Sequence, residues 1–112
     1  MSSYGVVLIT ASNADEAERI ARGLLEKKLA ACCNIVPGLR SLYWWQGKLE
    51  DSSEVLLLVK TRRELFTELV AAVKALHSYT VPEVVMLPIV EGSGEYLQWI
   101  DGSTRQSGQA AS

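Results

Sequence analysis

The sequence predicts an α+β domain with the element order β-α-β-β-α-β, followed by a short C-terminal helix. Three observations carry this. Four apolar, β-branched runs read as strands. Two amphipathic stretches separate the first strand from the second and the third from the fourth. A Gln-Gly pair joins the middle two strands as a hairpin. The chain has 112 residues, 48% of them hydrophobic, which suits one domain with a core that needs neither disulfides nor metal. That domain is assigned to residues 1–102, and the Ser/Gly/Gln/Ala-rich residues 103–112 are expected to be a disordered tail.

The elements follow in order. Tyr4 to Ala11 is apolar at nearly every position, which suits a strand covered on both faces. Ser12/Asp15 and Asn13/Glu16 both have capping-box spacing for a helix start. Ala17, Ile20, Ala21, Leu24 and Leu25 then share one helical face, and the helix is expected to end near Lys28 or Leu29. Ala31 to Trp45 reads as one long strand with a bend or bulge at Pro37-Gly38, because proline cannot donate to the ladder and glycine tolerates bulge geometry. Gln46-Gly47 is the tight turn. The returning strand runs from Leu49 to Lys60, with Asp51-Ser52-Ser53 expected as an interruption. Thr61 and Glu64 form a third capping box before Leu65, Phe66, Leu69, Val70, Val73 and Leu76, a second amphipathic helix that stops by Ser78. Glu83 to Val90 is the last strand, and Glu95 to Ile100 the short helix.

This order is the split βαβ, or ferredoxin-like, pattern. Right-handed crossovers place both helices on one face of a four-stranded sheet. The opposite face retains alternate apolar residues of every strand, and an apolar patch of that size marks an interface. A homo-oligomer is therefore expected.

Composition excludes several classes. The net charge of −2, from 11 Lys plus Arg against 13 Asp plus Glu, argues against a nucleic-acid partner. No apolar run approaches the roughly 20 residues of a membrane span, so no membrane partner is expected. Met1-Ser2-Ser3-Tyr4 lacks the basic and apolar segments of an export signal, which makes the cytoplasm the expected compartment. The adjacent Cys32 and Cys33 suit free thiols better than a strained vicinal disulfide.

Several stretches in uninterrupted order carry a resemblance. They are Leu29-Ala30-Ala31-Cys32, Asn34-Ile35-Val36-Pro37-Gly38, Ser41 to Glu50 (SLYWWQGKLE) and Leu58-Val59-Lys60-Thr61. His77, Tyr79, Val81-Pro82-Glu83, Leu87-Pro88-Ile89 and Tyr96 to Ile100 complete the series. From about Val6 to Ile100 the chain resembles the CutA family of divalent-cation tolerance proteins. The resemblance implies a ferredoxin-like subunit in a tight homotrimer similar in architecture to PII-type signalling proteins, with the long hairpin reaching onto neighbours. It also implies a role in response to divalent metal ions, copper binding in some members, and no secure enzymatic reaction. This chain departs from the family at three positions. Copper-binding members carry a cysteine where this chain has Ile9, and some carry a second histidine where it has Leu76. The residue after Tyr79 is Thr80, where the family has an acid.

Cys32 and His77 are the candidate metal ligands, a soft thiolate and an imidazole suited to copper or another divalent ion. The alternatives are a small buried thiol and a histidine packed at a helix C-terminus. The strand and helix order puts the two at opposite ends of the sheet, so one chain is not expected to bring them onto one ion. Cys32 and Cys33 should point to opposite faces. Trp45, Lys60, His77, Tyr79 and Glu83 are the candidate small-ligand residues of a cleft between subunits. Tyr43, Trp44 and Trp45 are expected chiefly in hairpin and subunit packing. No nucleophile elbow, phosphate loop, dinucleotide fingerprint or His-x-x-x-His pair is present. The expectation is a non-enzymatic trimer that needs no cofactor and binds metal or a small ligand weakly. The alternatives are an anchoring or signalling trimer with no metal role, and an enzyme with an intersubunit site.

Overall fold

β1 (Tyr4–Ala11) forms where the sequence is most densely β-branched, and it lies in the middle of the sheet. The computed structural model describes residues 3–106. α1 (Ala14–Glu26) follows, then β2 (Cys32–Trp45) and β3 (Lys48–Arg62), a 3-10 turn (Arg63–Leu65), α2 (Phe66–Leu76), β4 (Val84–Pro88) and α3 (Gly94–Ser103). The strands pair antiparallel in the order β2-β3-β1-β4. This is the expected ferredoxin-like α+β arrangement.

The sheet register sorts the side chains by face. Val7, Val59, Cys33 and Met86 align across the sheet, as do Ile9, Leu57, Ile35 and Val84. Apart from Ile35, which is exposed, these rows meet Ala17, Ile20, Leu24, Leu69 and Val73 of the helices in one core. The other face carries the rows Leu8, Leu58, Asn34 and Val85, then Val6, Lys60, Cys32 and Leu87. Val36, Val85 and Leu87 are exposed there. That face is not wholly open, as the sequence had suggested. α3 packs on β3, and the Tyr4 hydroxyl donates to Asp101 of α3 at 2.6 Å.

The hairpin is the longest feature. Its register shifts between Val36 and Leu39, as the Pro37-Gly38 pair predicts, with Gly38 at φ 83°. Gln46 and Gly47 both have positive φ, the signature of the two-residue turn that matches strand twist. β3 runs without the interruption expected at Asp51-Ser52-Ser53, which pair with Leu42, Ser41 and Arg40. Arg40 grips Asp51 with two guanidinium bonds at 2.9 and 2.6 Å, which keeps that polar stretch extended.

Other local expectations change for identifiable reasons. Thr61 and Glu64 make no capping box. Thr61 is buried in β3 and donates to the Leu29 carbonyl at 2.6 Å, while Glu64 binds Arg62. β4 is shorter than expected, and the amide of Ile89 beyond it donates to the Tyr4 carbonyl. Leu25, placed on the apolar face of α1, is exposed. Residues 103–106, expected to open a disordered tail, are held in place. Ser103 ends α3, Thr104 is buried, and the Arg105 amide donates to the Lys28 carbonyl. Residues 107–112 of that expected tail lie outside the described residues.

α1 ends at Glu26, earlier than expected, in a Schellman motif. Leu29 N–H donates to Leu24 O and Lys28 N–H to Leu25 O, both at 3.0 Å. The motif needs a left-handed residue after the cap, and Lys28 occupies it at φ 56°. A side chain there is strained where glycine is not. Lys28→Gly is therefore expected to stabilise the fold by about 0.5–1 kcal/mol. Chemical denaturation checks this, and a loss of stability would contradict it.

Candidate functional site

A cleft of about 760 Å³ opens where the outer half of the hairpin meets the loop between α2 and β4. β2 supplies Arg40, Tyr43 and Trp45, β3 supplies Glu54, and the loop supplies Tyr79 and Glu83. The bulge at Pro37-Gly38 shifts the register of the outer hairpin, so that Tyr43 stands two pairs from Ser52, to which its hydroxyl is bonded at 3.1 Å. Arg40 faces the cleft with its guanidinium engaged by Asp51. Tyr79 ties the two walls together, its hydroxyl donating to Glu54 Oε2 at 2.9 Å. Burial, that hydrogen bond and the Glu54 charge together push the Tyr79 phenol well above its ordinary pKa.

The loop is fixed from behind by His77 and Glu16. The His77 side chain is fully buried. Its Nδ1 accepts from the Tyr79 amide at 3.0 Å, and its Nε2 lies 2.7 Å from the Thr10 carbonyl. A carbonyl only accepts, so the proton sits on Nε2. The Tyr79 ring packs against the His77 ring, with centroids 4.7 Å apart. Glu16, in the first turn of α1, accepts from the Ser12 amide and hydroxyl at 2.9 Å and from the Ser78 amide at 2.7 Å. Burial raises its pKa, but the hydrogen bonds from Ser12 and Ser78 outweigh burial and hold it at about 2.

The sequence-derived site residues divide into three sets. Trp45, Tyr79 and Glu83, expected in a cleft between subunits, line this cleft within one chain. His77 supports its floor through Tyr79, and both of its ring nitrogens are engaged. Lys60 is elsewhere. It pairs in register with Cys32 and donates to Asn34 Oδ1. The Cys32 thiol also meets Asn34 Oδ1, at 3.7 Å. Cys33 faces the core, its thiol directed at the Ala21 carbonyl, and burial pushes it up to about 12.

Cys32 and His77 are not brought together. His77 reaches Thr10, which pairs with Leu56, whereas Cys32 pairs with Lys60, farther along β3. At about 3.4 Å per residue that is roughly 14 Å along the sheet. Among the described residues, no group of three His, Cys, Asp or Glu side chains gathers at metal-binding distance. Sequence reasoning missed Glu54 and Glu16. Glu54 was legible as an acid adjoining the apolar run from Val55 to Val59. Glu16 carried only a helix-start signal, which does not reveal its bond to Ser78.

The architecture defines a ferredoxin-like domain with a protruding hairpin and a ligand-sized cleft beside the outer half of that hairpin. The family model of the CutA1 divalent ion tolerance protein matches residues 5–103, and the chain belongs to that family. It is 56% identical over 99 residues to the divalent-cation tolerance protein CutA of Thermus thermophilus, covering 88% of this chain and 96% of that one. The chloroplastic protein CutA 1 of Oryza sativa is 49% identical over 102 residues, which span 91% of this chain and 58% of the rice protein. The crystal structure of CutA1 from Oryza sativa superposes with a TM-score of 0.91 at 47% identity, covering 95% of this chain and 97% of that one. The Thermus thermophilus structure gives 0.89 at 54% identity, with 91% and 99% covered. A divalent-cation tolerance protein from Archaeoglobus fulgidus, described as periplasmic, gives 0.87 at 51% identity, with 89% and 97% covered. These relatives carry chloroplast and periplasm in their descriptions, so the compartment differs within the family. Among the described residues, no helix is long and apolar enough to cross a membrane.

Proposed function

We propose that the chain serves divalent metal-ion tolerance as a non-catalytic homotrimer that binds metal weakly and takes a small ligand in the cleft. Family membership over residues 5–103 is the observation that carries the metal role. The trimer is supported by the exposed Val36, Val85 and Leu87 on the sheet face and by Trp44, 74% exposed on the hairpin. Burying such surface contributes about 25 cal/mol per Å². Of the two thiols, Cys32 is the available soft donor, because Cys33 is held in the core with its thiol protonated. A copper ion taken up by one chain therefore meets Cys32 and not the Cys32–His77 pair.

Light scattering on metal-free protein should give three times the 12.3 kDa chain mass. Calorimetric titration with copper(II) should show saturable binding that Cys32→Ser weakens about tenfold or more and Cys33→Ser leaves intact. A monomeric mass overturns the assembly. Copper binding that is absent from the wild type, or that survives Cys32→Ser unchanged, overturns the metal site. The separation of Cys32 from His77 favours a second reading in that case, an anchoring or signalling trimer with no metal role.

A further inference from the structure

His77 is the one histidine of the chain, and it is held in a state that a single proton reverses. It caps the C-terminal end of α2, with its side chain fully buried. Nε2 donates to the Thr10 carbonyl at 2.7 Å, and Nδ1 accepts from the Tyr79 amide at 3.0 Å. The Glu16 carboxylate stands just beyond that bond, with Oε2 4.0 Å from Nδ1. Glu16 is only 3% exposed and belongs to the same chain. The pair therefore lies inside one subunit, whatever a neighbouring subunit lays against the loop.

The groups that face His77 favour a cation there. α1 supplies Glu16, with the exposed Arg19 guanidinium 3.7 Å behind its Oε2 and 3.2 Å from the Leu76 carbonyl. β1 supplies the Thr10 carbonyl, and the loop supplies the Tyr79 ring. β3 adds the Glu54 carboxylate, joined to the Tyr79 hydroxyl. The last carbonyls of α2 add the negative end of its dipole. Hydrogen bonds hold the Glu16 carboxyl at about 2, so it stays ionised where histidine titrates. A carboxylate also has lone pairs for one more donor beside the Ser78 amide.

Protonation changes which of these bonds exist. A proton from solvent takes the Nδ1 lone pair, and the acceptor becomes a donor that opposes the Tyr79 N–H. Nε2 keeps its proton and its bond to Thr10, and the ring turns about that bond to bring Nδ1–H onto Glu16. The segment this frees, residues 77–83, contains no helix or strand, and its Ser78 and Thr80 are exposed.

We propose that His77 and Glu16 form a proton-operated latch on the loop between α2 and β4. With the imidazole neutral, Nδ1 holds the Tyr79 amide. With the imidazolium formed, Glu16 holds the ring and that amide is released. Tyr79 and Glu83 of this loop line the cleft, so the cleft wall moves with the proton. The latch involves no metal ligand, since Cys32 lies roughly 14 Å away along the sheet.

The test is a titration of the metal-free full chain from about pH 8 to about pH 5, the interval in which histidine ordinarily changes charge. The nitrogen and carbon NMR signals of a single histidine are unambiguous, and they report its tautomer and charge. Hydrogen exchange, taken relative to the intrinsic rate at each pH, reports the protection of the Tyr79 amide. The expected result is the Nε2–H tautomer at the alkaline end, then conversion to imidazolium. Protection of Tyr79 should fall about tenfold with the same midpoint, while that of Leu8 in β1 is kept. Glu16→Gln should lower the midpoint by about one pH unit, the effect of removing an opposite charge at this distance. His77→Asn offers Tyr79 an acceptor that does not titrate, and should make its protection independent of pH. A histidine that stays neutral throughout, or one that protonates with no change at Tyr79, overturns the proposal. So does a midpoint that Glu16→Gln leaves in place or raises, or a pH-dependent loss at Tyr79 that survives in His77→Asn. The wild-type titration decides by itself if either variant fails to fold.

Discussion

Replacing Glu16 with glutamine should cost about 3 kcal/mol of stability at neutral pH, and that cost should shrink as the pH falls. Glu16 is 3% exposed, and its oxygens accept from the Ser12 amide, the Ser12 hydroxyl and the Ser78 amide. The Asn13 side chain caps the helix, accepting from the Glu16 amide at 2.8 Å. Glu16 thus reaches one residue past the helix cap and also seizes the loop that follows α2. An amide at this position turns an N–H donor toward one of these donors, so an acceptor is lost and two donors oppose each other.

The sign of the pH dependence follows from linkage. The carboxyl titrates near 2 in the folded chain and near its ordinary 4.5 when unfolded. Between those values the unfolded chain binds more protons, so stability rises with pH across that window. The contribution is complete above about 4.5 and is lost as pH falls toward about 2. Urea denaturation of wild type and Glu16→Gln at several pH values checks this, at matched protein concentration because association shifts apparent stability. Curves that converge in acid are expected. A difference that persists unchanged to the lowest pH would assign the loss to packing instead of charge.

Glu16 also marks where sequence reading stops. The strands were legible because each is a local apolar run, and both irregularities of the hairpin were legible because Pro37-Gly38 and Gln46-Gly47 carry their backbone preferences in the residues themselves. The false capping box at Thr61 has the opposite cause. Its hydroxyl had two potential partners, and a buried carbonyl at Leu29, distant in sequence, took it. The left-handed turn at Lys28 gave no local signal because the usual glycine is absent. Lys60, expected in a cleft between subunits, lies away from the cleft of its own chain. Once the Gln46-Gly47 turn fixes the register, Trp45 pairs with Lys48 and Lys60 falls opposite Cys32, at the far end of the hairpin from the cleft. The cleft itself was half legible. Trp45, Tyr79 and Glu83 were found by chemistry, but Glu54 required knowing that the Tyr79 loop folds back over β3.

His77→Ala should destabilise the fold by about 2–4 kcal/mol, since it removes two buried hydrogen bonds and the ring on which Tyr79 packs. It should leave the copper affinity of the folded protein unchanged. The reason is a count of lone pairs. The neutral imidazole has one acceptor nitrogen, and the Tyr79 amide already occupies it, while the other nitrogen gives its proton to the Thr10 carbonyl. A metal could bind only by taking one of these positions, which would release Tyr79 from the loop or leave a buried carbonyl of β1 without its donor. The variant should therefore separate from Cys32→Ser in both measurements, losing stability where the cysteine variant loses copper. It should also loosen the cleft, because Tyr79 would lose its bond to His77 and keep the one to Glu54. A His77→Ala protein with wild-type melting and no copper binding would reverse this assignment and make the histidine a ligand, with its partners supplied from another subunit.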